Sequence, residues 1–290
     1  MALRLMRLAC FLALVAAGSA RADEDPVARG AYLVNGIAGC GNCHTPQAPA
    51  GPAPDAPLSG GPAQLSPVFT AYPPNLTPDR ATGIGAWSEG QIVTALREGR
   101  TPDGRTLRPP MPIPFYRRMS DADAHAIAAY LRSLPPVESR VPVSDYKVST
   151  PRDYGPPLGN VAAPPRSDAV AYGAYLGALG HCMQCHTPVG SNGQRDYLHR
   201  LGAGGLRLDG VFGSRVSANI TADRETGIGS WSDEEVKAAI RDGVRPDGRR
   251  LAAPMPTYYL RNLEPADLDA LVAWLRSLPP IRNAVDRQMN

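Results

Sequence analysis

Apolar residues recur at helical spacing in a few short segments of this 290-residue chain, and proline and glycine are frequent between them. Residues 121–133 carry apolar side chains at intervals of three and four, which predicts a helix with one buried face. A similar segment begins at Pro265, and shorter helices are predicted over 26–34 and from Ser88 to just before Gly99. Because few segments alternate with period two, the predicted fold class is all-α with long loops.

Helix starts and a close helix crossing are also predicted. Ser88, followed by glutamine three residues later, forms a capping-box pattern. Gly30 and Tyr32 lie on one side of the first helix and predict a close crossing with the last helix, where Tyr130 fills the remaining space. The corresponding residues further along the chain are Ser232, Gly173, Tyr175 and Trp274.

The chain is an internal duplication with a shift of 144 residues. Residues 75–87, NLTPDRATGIGAW, reappear as NITADRETGIGSW at 219–231. A period of this length indicates two copies of a whole domain rather than a solenoid. The predicted domains are residues 23–138 and 167–285. Between them, the proline-rich residues 139–166 predict a semi-rigid connector that runs over the surface and sets the distance between the halves.

The first 22 residues have the pattern of a signal peptide. Arg4 and Arg7 precede an apolar run too short to span a bilayer permanently, and Ala20-Arg21-Ala22 resembles a signal-peptidase site. We therefore expect export to the periplasm with cleavage near Ala22. Removal of this segment changes the net charge from +3 to zero, so the composition does not indicate nucleic-acid binding. The end of the chain at Asn290 is not apolar, so no transmembrane anchor is expected in the mature chain.

The string C-x-x-C-H occurs twice, at 40–44 and 182–186, and is the pattern at which haem is covalently attached. Two thiols three residues apart share one face of a helical turn and can reach both vinyl groups of one porphyrin. The adjacent neutral imidazole can then bind the iron. These strings contain every cysteine except Cys10, and their separation does not match zinc-ribbon spacing. We expect two haem c groups, attached through Cys40, Cys43, Cys182 and Cys185, with His44 and His186 as iron ligands.

Methionine is the favoured second axial ligand. Met111 and Met255 occupy matching positions, each in a Pro-Met-Pro string whose prolines restrict the loop, and thioether sulfur is a suitable ligand for haem iron. We therefore assign Met111 to the first iron and Met255 to the second. Met119 is replaced by leucine in the second copy, which indicates packing. Ligation by two histidines remains an alternative for one haem, with His125, His181 and His199 as candidates.

Two further pairs of matching residues are candidates for contact with the porphyrin carboxylates. The indole N–H groups of Trp87 and Trp231 are suitable donors, with core packing as the alternative. Arg80 and Arg224 are suitable cations, with a role as plain surface charge weighted equally. The Asn-x-Thr strings at Asn75 and Asn219 match a glycosylation pattern that is common by chance, and we give it no weight.

The strings CHTP, NLTPD, TGIGxWS, PDGR and PMP resemble the cytochrome c subunits of bacterial periplasmic alcohol, aldehyde and gluconate dehydrogenases. The resemblance implies two tandem class I cytochrome c-like domains in the periplasm. It implies that electrons arrive from a dehydrogenase and leave to quinone, an oxidase or another cytochrome. It also matches His44 and His186 to the proximal ligands and Met111 and Met255 to the distal ones. The best-known members carry three haem domains and often a membrane-attaching C-terminus, whereas this sequence has two C-x-x-C-H strings.

The expected function is electron transfer without substrate chemistry at the protein itself, and not that of an enzyme. The alternative is a dihaem redox enzyme, either a peroxidase or similar to a thiosulfate dehydrogenase. Such an enzyme needs an open or displaceable sixth position on one iron, and the matching methionines argue against it. A haem-based sensor is least favoured because no attached output domain is evident.

Overall fold

The computed structural model describes residues 25–48, 51–149, 151–210 and 213–285. Residues 1–22, interpreted above as a signal peptide, lie outside the described residues. Among the described residues, no helix combines the length and apolar character needed to cross a bilayer.

Helices form the main elements of both halves of the chain. The first half contains α1 (Pro26–Asn35), α2 (Gly41–His44), α3 (Glu89–Glu98), α4 (Ile113–Tyr116) and α5 (Asp121–Ser133). The second half contains α6 (Ala169–Leu179), α7 (Cys182–His186), α8 (Asp233–Arg241), α9 (Thr257–Leu260) and α10 (Pro265–Ser277).

The all-α expectation is right for these elements but incomplete, because the described residues also form three small antiparallel sheets. Their strands are two to four residues long, too short to produce a visible alternation in the sequence. The strands are β1 (Gln47–Ala48) with β2 (Gly51–Pro52); β3 (Gln64–Ser66), β4 (Phe69–Ala71) and β5 (Asp145–Tyr146) in that order; and β6 (Arg207–Gly210) with β7 (Gly213–Val216).

The predicted helix starts are confirmed by their hydrogen bonds. At the start of α3, the Ser88 hydroxyl accepts from the Gln91 backbone N–H (3.2 Å), and the Gln91 side chain accepts from the Ser88 N–H (2.8 Å). Ser232 and Glu235 form the same reciprocal pair at the start of α8. Each box satisfies two backbone donors that a helix end would otherwise leave unpaired.

The predicted close crossing of first and last helices is confirmed in both halves. A Cβ placed on Gly30 would overlap the carbonyl oxygen of Ala126 in α5, so α1 can approach α5 this closely only with glycine at that position. Gly173 of α6 stands in the same relation to Ala270 of α10. Tyr130 lies beside the first of these contacts, as expected, and Trp274 beside the second.

Tyr32 and Tyr175 do not take part in these crossings, and here the prediction was wrong. The hydroxyl of each tyrosine instead reaches the other half of the molecule. The Tyr32 hydroxyl donates to Asp267 (2.7 Å), and the Tyr175 hydroxyl donates to Asp123 (2.6 Å). Because the two tyrosines are equivalent in the duplication, and the two aspartates likewise, the contact between the halves is reciprocal. It has the form of an approximate two-fold interface within one chain.

The two halves are in direct contact, so the connector does not set the distance between them. Their buried side chains form one continuous hydrophobic cluster. Ile37 lies against Gly180 at the interface. Much of the described connector lies along the first half: strand β5 pairs with β4, and the Val161 carbonyl accepts from the Asp121 N–H (2.8 Å). At its end, Arg166 donates to Asp267 of the second half (3.1 Å).

Candidate haem-binding sites

One continuous cavity of about 1760 Å³ contains the candidate site residues of both halves. Its walls are largely apolar, as a porphyrin plane requires, and it is bounded by helices and loops of both repeats. The sequence predicted two separate and nearly equivalent sites. The structure brings them together into a shared space, because the halves meet near the helices that carry the two strings. These are the site residues on its wall: Cys40, Cys43, His44, Met111, Cys182, Cys185, His186 and Met255.

The two motif histidines are oriented by equivalent backbone carbonyls. His44 Nδ1 lies 2.8 Å from the Pro74 carbonyl oxygen, and His186 Nδ1 lies 2.8 Å from that of Ala218. A proton on Nδ1 donates to the carbonyl and leaves the Nε2 lone pair available to a metal. Burial lowers the pKa of both imidazoles, which keeps them in the neutral form that can bind iron.

The four motif cysteines have equally apolar surroundings. Burial raises the pKa of the Cys40 and Cys182 thiols to about 12 in each case. It raises that of Cys43 to about 11, with a smaller contribution from the charge of Cys185. The donor set, the neutral histidines and the apolar walls all fit covalently attached haem.

Met111 and Met255 lie on the cavity wall in loops of the same construction. The Met111 N–H donates to the Arg108 carbonyl and the Met255 N–H to the Ala252 carbonyl, both at 3.2 Å. Both side chains are partly buried and contact the hydrophobic cluster. Met119, interpreted as a packing residue, is fully buried in the core, which confirms that interpretation.

The competing histidines fall into two groups. His125 is exposed and its Nδ1 lies 2.6 Å from Glu89, while His199 is exposed beside Asp196; neither lines the cavity. His181 does line the cavity, with its ring centroid 6.4 Å from that of Tyr116. Burial lowers the pKa of His181 to about 4, so its imidazole is neutral at neutral pH.

A profile of the cytochrome c family matches the chain twice, over residues 27–135 and 170–279. Each match contains one C-x-x-C-H string with its histidine oriented in the cavity. The chain belongs to the cytochrome c family. Membership implies covalently bound haem c, and the two matches show two tandem cytochrome c domains.

Three known proteins to which this cytochrome is similar are cytochromes or cytochrome subunits. It is 32% identical to the fructose dehydrogenase cytochrome subunit of Gluconobacter japonicus, over 90% of this chain and 54% of that protein. It is 31% identical to the gluconate 2-dehydrogenase cytochrome c subunit of Pantoea cypripedii, over 92% and 63%. It is 28% identical to a dihaem cytochrome c-type protein of Cereibacter sphaeroides, over 84% and 83%. The chain thus spans little more than half the length of the two dehydrogenase subunits.

Of the residues expected to contact the porphyrin carboxylates, the tryptophans line the cavity of this cytochrome and the arginines do not. Trp87 and Trp231 line the cavity, but Arg80 and Arg224 are exposed and do not, in agreement with the surface-charge alternative. The arginines that do line the cavity could not be singled out from the sequence, because most of them have no arginine at the equivalent position of the other half. They include Arg105, Arg108, Arg152, Arg195, Arg207 and Arg215.

Asn75 and Asn219 were also missed as structural residues of the cytochrome domains. Both side chains are buried, and each follows directly the residue whose carbonyl faces the motif histidine. The Asn75 amide donates to the Val137 carbonyl and the Asn219 amide to the Ile281 carbonyl, both at 2.7 Å. Each asparagine therefore ties the loop behind its histidine to the chain that follows the last helix. The exact repetition of Asn-x-Thr was the sequence feature that pointed to this role.

Proposed function

We propose that this cytochrome carries two haem c groups and transfers electrons from a periplasmic dehydrogenase towards the respiratory chain, without substrate chemistry of its own. Its two domains would comprise residues 23–138 and 167–285, and each would hold one haem. The observation that carries the proposal is the shared cavity, on whose wall both C-x-x-C-H strings and both Pro-Met-Pro loops lie.

The site residues divide into covalent attachment and iron ligation. When bound, haem iron supplies one-electron chemistry between its ferric and ferrous states. Each histidine, held by its Nδ1 bond to a carbonyl, would bind the iron through Nε2, and a methionine thioether as second ligand would favour a high reduction potential. The proposed roles are attachment by Cys40 and Cys43 with ligation by His44 and Met111, and attachment by Cys182 and Cys185 with ligation by His186 and Met255.

Contacts between the two sites support electron passage within the molecule. Gln184, inside the second C-x-x-C-H string, donates from Nε2 to the Pro110 carbonyl at 3.0 Å. Pro110 directly precedes Met111, so the second attachment helix touches the ligand loop of the first site. Two haems held in one cavity, with the two halves in direct contact between them, are suited to electron exchange without a large motion of either half.

The dehydrogenase partner and the periplasmic location rest on the relatives and on residues 1–22. Two of the relatives are cytochrome subunits of sugar or sugar-acid dehydrogenases. The acceptor is a cytochrome, a quinone or an oxidase. Reduction of the purified ferric protein by a co-purifying dehydrogenase and its substrate tests the donor. Turnover of peroxide or thiosulfate without any partner would instead favour a dihaem redox enzyme.

Methionine substitution tests the ligand assignment. The ferric holoprotein should show a sulfur-to-iron charge-transfer band, and Met111→Ala and Met255→Ala should each remove about half of its intensity, because each removes one of two equivalent sulfur ligands. Met119→Leu is the matched control, since this methionine is buried in the core and leucine occupies the equivalent Leu263 position. A native spectrum with one five-coordinate haem would contradict the assignment.

A further inference from the structure

The loop that carries Met111 (residues 105–112, the first ligand loop) is held from outside by two tyrosines of the connector. The Tyr146 hydroxyl donates to the Pro109 carbonyl at 2.7 Å. The Tyr154 hydroxyl donates to the Leu107 carbonyl at 2.9 Å. Because prolines in this loop lack backbone N–H groups, its carbonyls depend on donors from elsewhere.

Both tyrosines are themselves fixed in place. Tyr146 belongs to β5, packs on the ring of Phe69 with centroids 5.5 Å apart, and lies 4.9 Å below the guanidinium of Arg108. The ring of Tyr154 lies over Gly99, which has a φ of +64°. A Cβ at that position would come within 2.8 Å of the ring, so glycine leaves the space that the tyrosine occupies.

A third donor reaches the first ligand loop from the second half. Gln184 donates to the Pro110 carbonyl, as described above. Its equivalent in the first half is Asn42, whose side chain is one methylene shorter. Among the described residues, the Asn42 amide makes no hydrogen bond to the loop that carries Met255.

The loop that carries Met255 (residues 249–256, the second ligand loop) has no comparable support. Within the described chain, no side chain from outside this loop donates a hydrogen bond to a carbonyl of residues 251–256. Gly243, the equivalent of Gly99, faces Thr257 rather than an aromatic ring from the connector.

We propose that Tyr146 and Tyr154 are positioning residues that hold the first ligand loop against its haem, so that Met111 is harder to displace from iron than Met255. The inference rests on the proposed function, because it takes both methionines as iron ligands. The two sites of the duplication then differ in ligand lability although their ligands are chemically the same. The difference comes from the two connector tyrosines that donate to the first ligand loop.

Displacement by imidazole tests the inference on the ferric holoprotein. The charge-transfer band is followed during titration, and Met111→Ala and Met255→Ala assign each phase to one haem. The wild-type protein should lose the Met255 phase at lower imidazole concentration than the Met111 phase. Tyr146→Phe and Tyr154→Phe should each lower the midpoint of the Met111 phase about fivefold, and the double variant about 20-fold, as expected for one net hydrogen bond each. The Met255 phase should not move.

Tyr258→Phe is the matched control, because this exposed tyrosine follows the second ligand loop and its hydroxyl donates to neither loop among the described residues. Amide hydrogen exchange gives a second measurement that does not depend on the haem spectrum. The Met111 N–H should exchange more slowly than the Met255 N–H, and the double variant should reduce this difference.

Two results separate failure of the inference from failure of the proposed function. If the band is present but both phases share one midpoint that the tyrosine variants leave unchanged, the positioning role is overturned and methionine ligation stands. If the wild-type band is absent, methionine ligation itself is overturned, and the inference falls with it.

Discussion

The contact between the halves predicts a large cost for removing one buried hydroxyl. Tyr175 projects from α6 into the first half, where its hydroxyl donates to Asp123 at 2.6 Å and accepts from the Ser120 backbone N–H at 3.1 Å. Burial is the main reason that the pKa of Tyr175 is raised, so the hydroxyl remains a donor throughout the neutral range. Tyr175→Phe removes this donor and acceptor while keeping the ring.

The size of the effect follows from what remains at the site. Asp123 is 5% exposed and keeps its ion pair with Arg29 (2.8 Å), so the variant does not leave the carboxylate isolated. It does remove one hydrogen bond to a charged group, which contributes about 1.5–3 kcal/mol. We expect Tyr175→Phe to lower the free energy of unfolding by about 2 kcal/mol. For a chain of this length, the midpoint of thermal unfolding should fall by about 4–8 °C.

Guanidinium unfolding of the holoprotein, followed by circular dichroism, measures this cost. Tyr172→Phe is the control, because this tyrosine is in the same helix and its hydroxyl lies beside the Arg29 guanidinium but makes no hydrogen bond to Asp123 or Ser120. It should change the free energy of unfolding by less than about 0.5 kcal/mol. Tyr32→Phe should cost about as much as Tyr175→Phe, since it loses the equivalent bond to Asp267. A loss below about 0.5 kcal/mol for Tyr175→Phe, or an equal loss for Tyr172→Phe, would refute the reasoning.

Three further predictions concern single residues. Burial lowers the pKa of His181 to about 4, so as the pH falls below about 6.5 this histidine is protonated in the unfolded chain before it is protonated in the folded one. The free energy of unfolding should therefore drop by about 2–3 kcal/mol between about pH 7 and pH 4.5. If chemical unfolding of His181→Asn showed the same drop as the wild-type protein, this would be contradicted. Gly173→Ala should lower the free energy of unfolding by about 3 kcal/mol, because the added Cβ would overlap the Ala270 carbonyl. Gly90→Ala, where the added Cβ meets open space, should be neutral or stabilising in the same thermal unfolding experiment, and equal effects would count against the close crossing. Asn219→Ala should cost about 2 kcal/mol and speed amide exchange in the loop behind its histidine, and unchanged exchange would show that the asparagine does not hold that loop.

Helix positions and caps could be predicted from the sequence because they depend on residues close together in the chain. Residues 121–133 form a helix with the predicted ends, and Ser88 caps α3 as its spacing to Gln91 indicates. Tyr32 and Tyr175 show where such reasoning ends. An aromatic residue on an amphipathic helix has the same pattern whether it fills its own domain or reaches a neighbouring one, and only the docking of the halves decides between the two.

The candidate site was predictable to the extent that the duplication marks it. The four motif cysteines, the two motif histidines and the two Pro-Met-Pro methionines recur at matching positions, and all eight lie on the cavity wall. The shared cavity was not predictable, because it results from the packing of two surfaces distant in sequence. The contacts of Tyr146 and Tyr154 were equally hidden, since the connector has no second copy with which a conserved position can be compared within the chain.

The duplication makes the two sites similar, whereas the connector makes them different. The duplication supplies the same candidate ligands twice and, through the reciprocal tyrosine–aspartate contacts, places the halves in an approximately symmetric arrangement. By symmetry alone, two such sites would hold haems of similar ligand stability. The connector tyrosines donate hydrogen bonds to the first ligand loop, and among the described residues no connector side chain donates to the second. If both loops carry iron ligands, as proposed, these hydrogen bonds would make the two haems differ without any change in the ligands themselves.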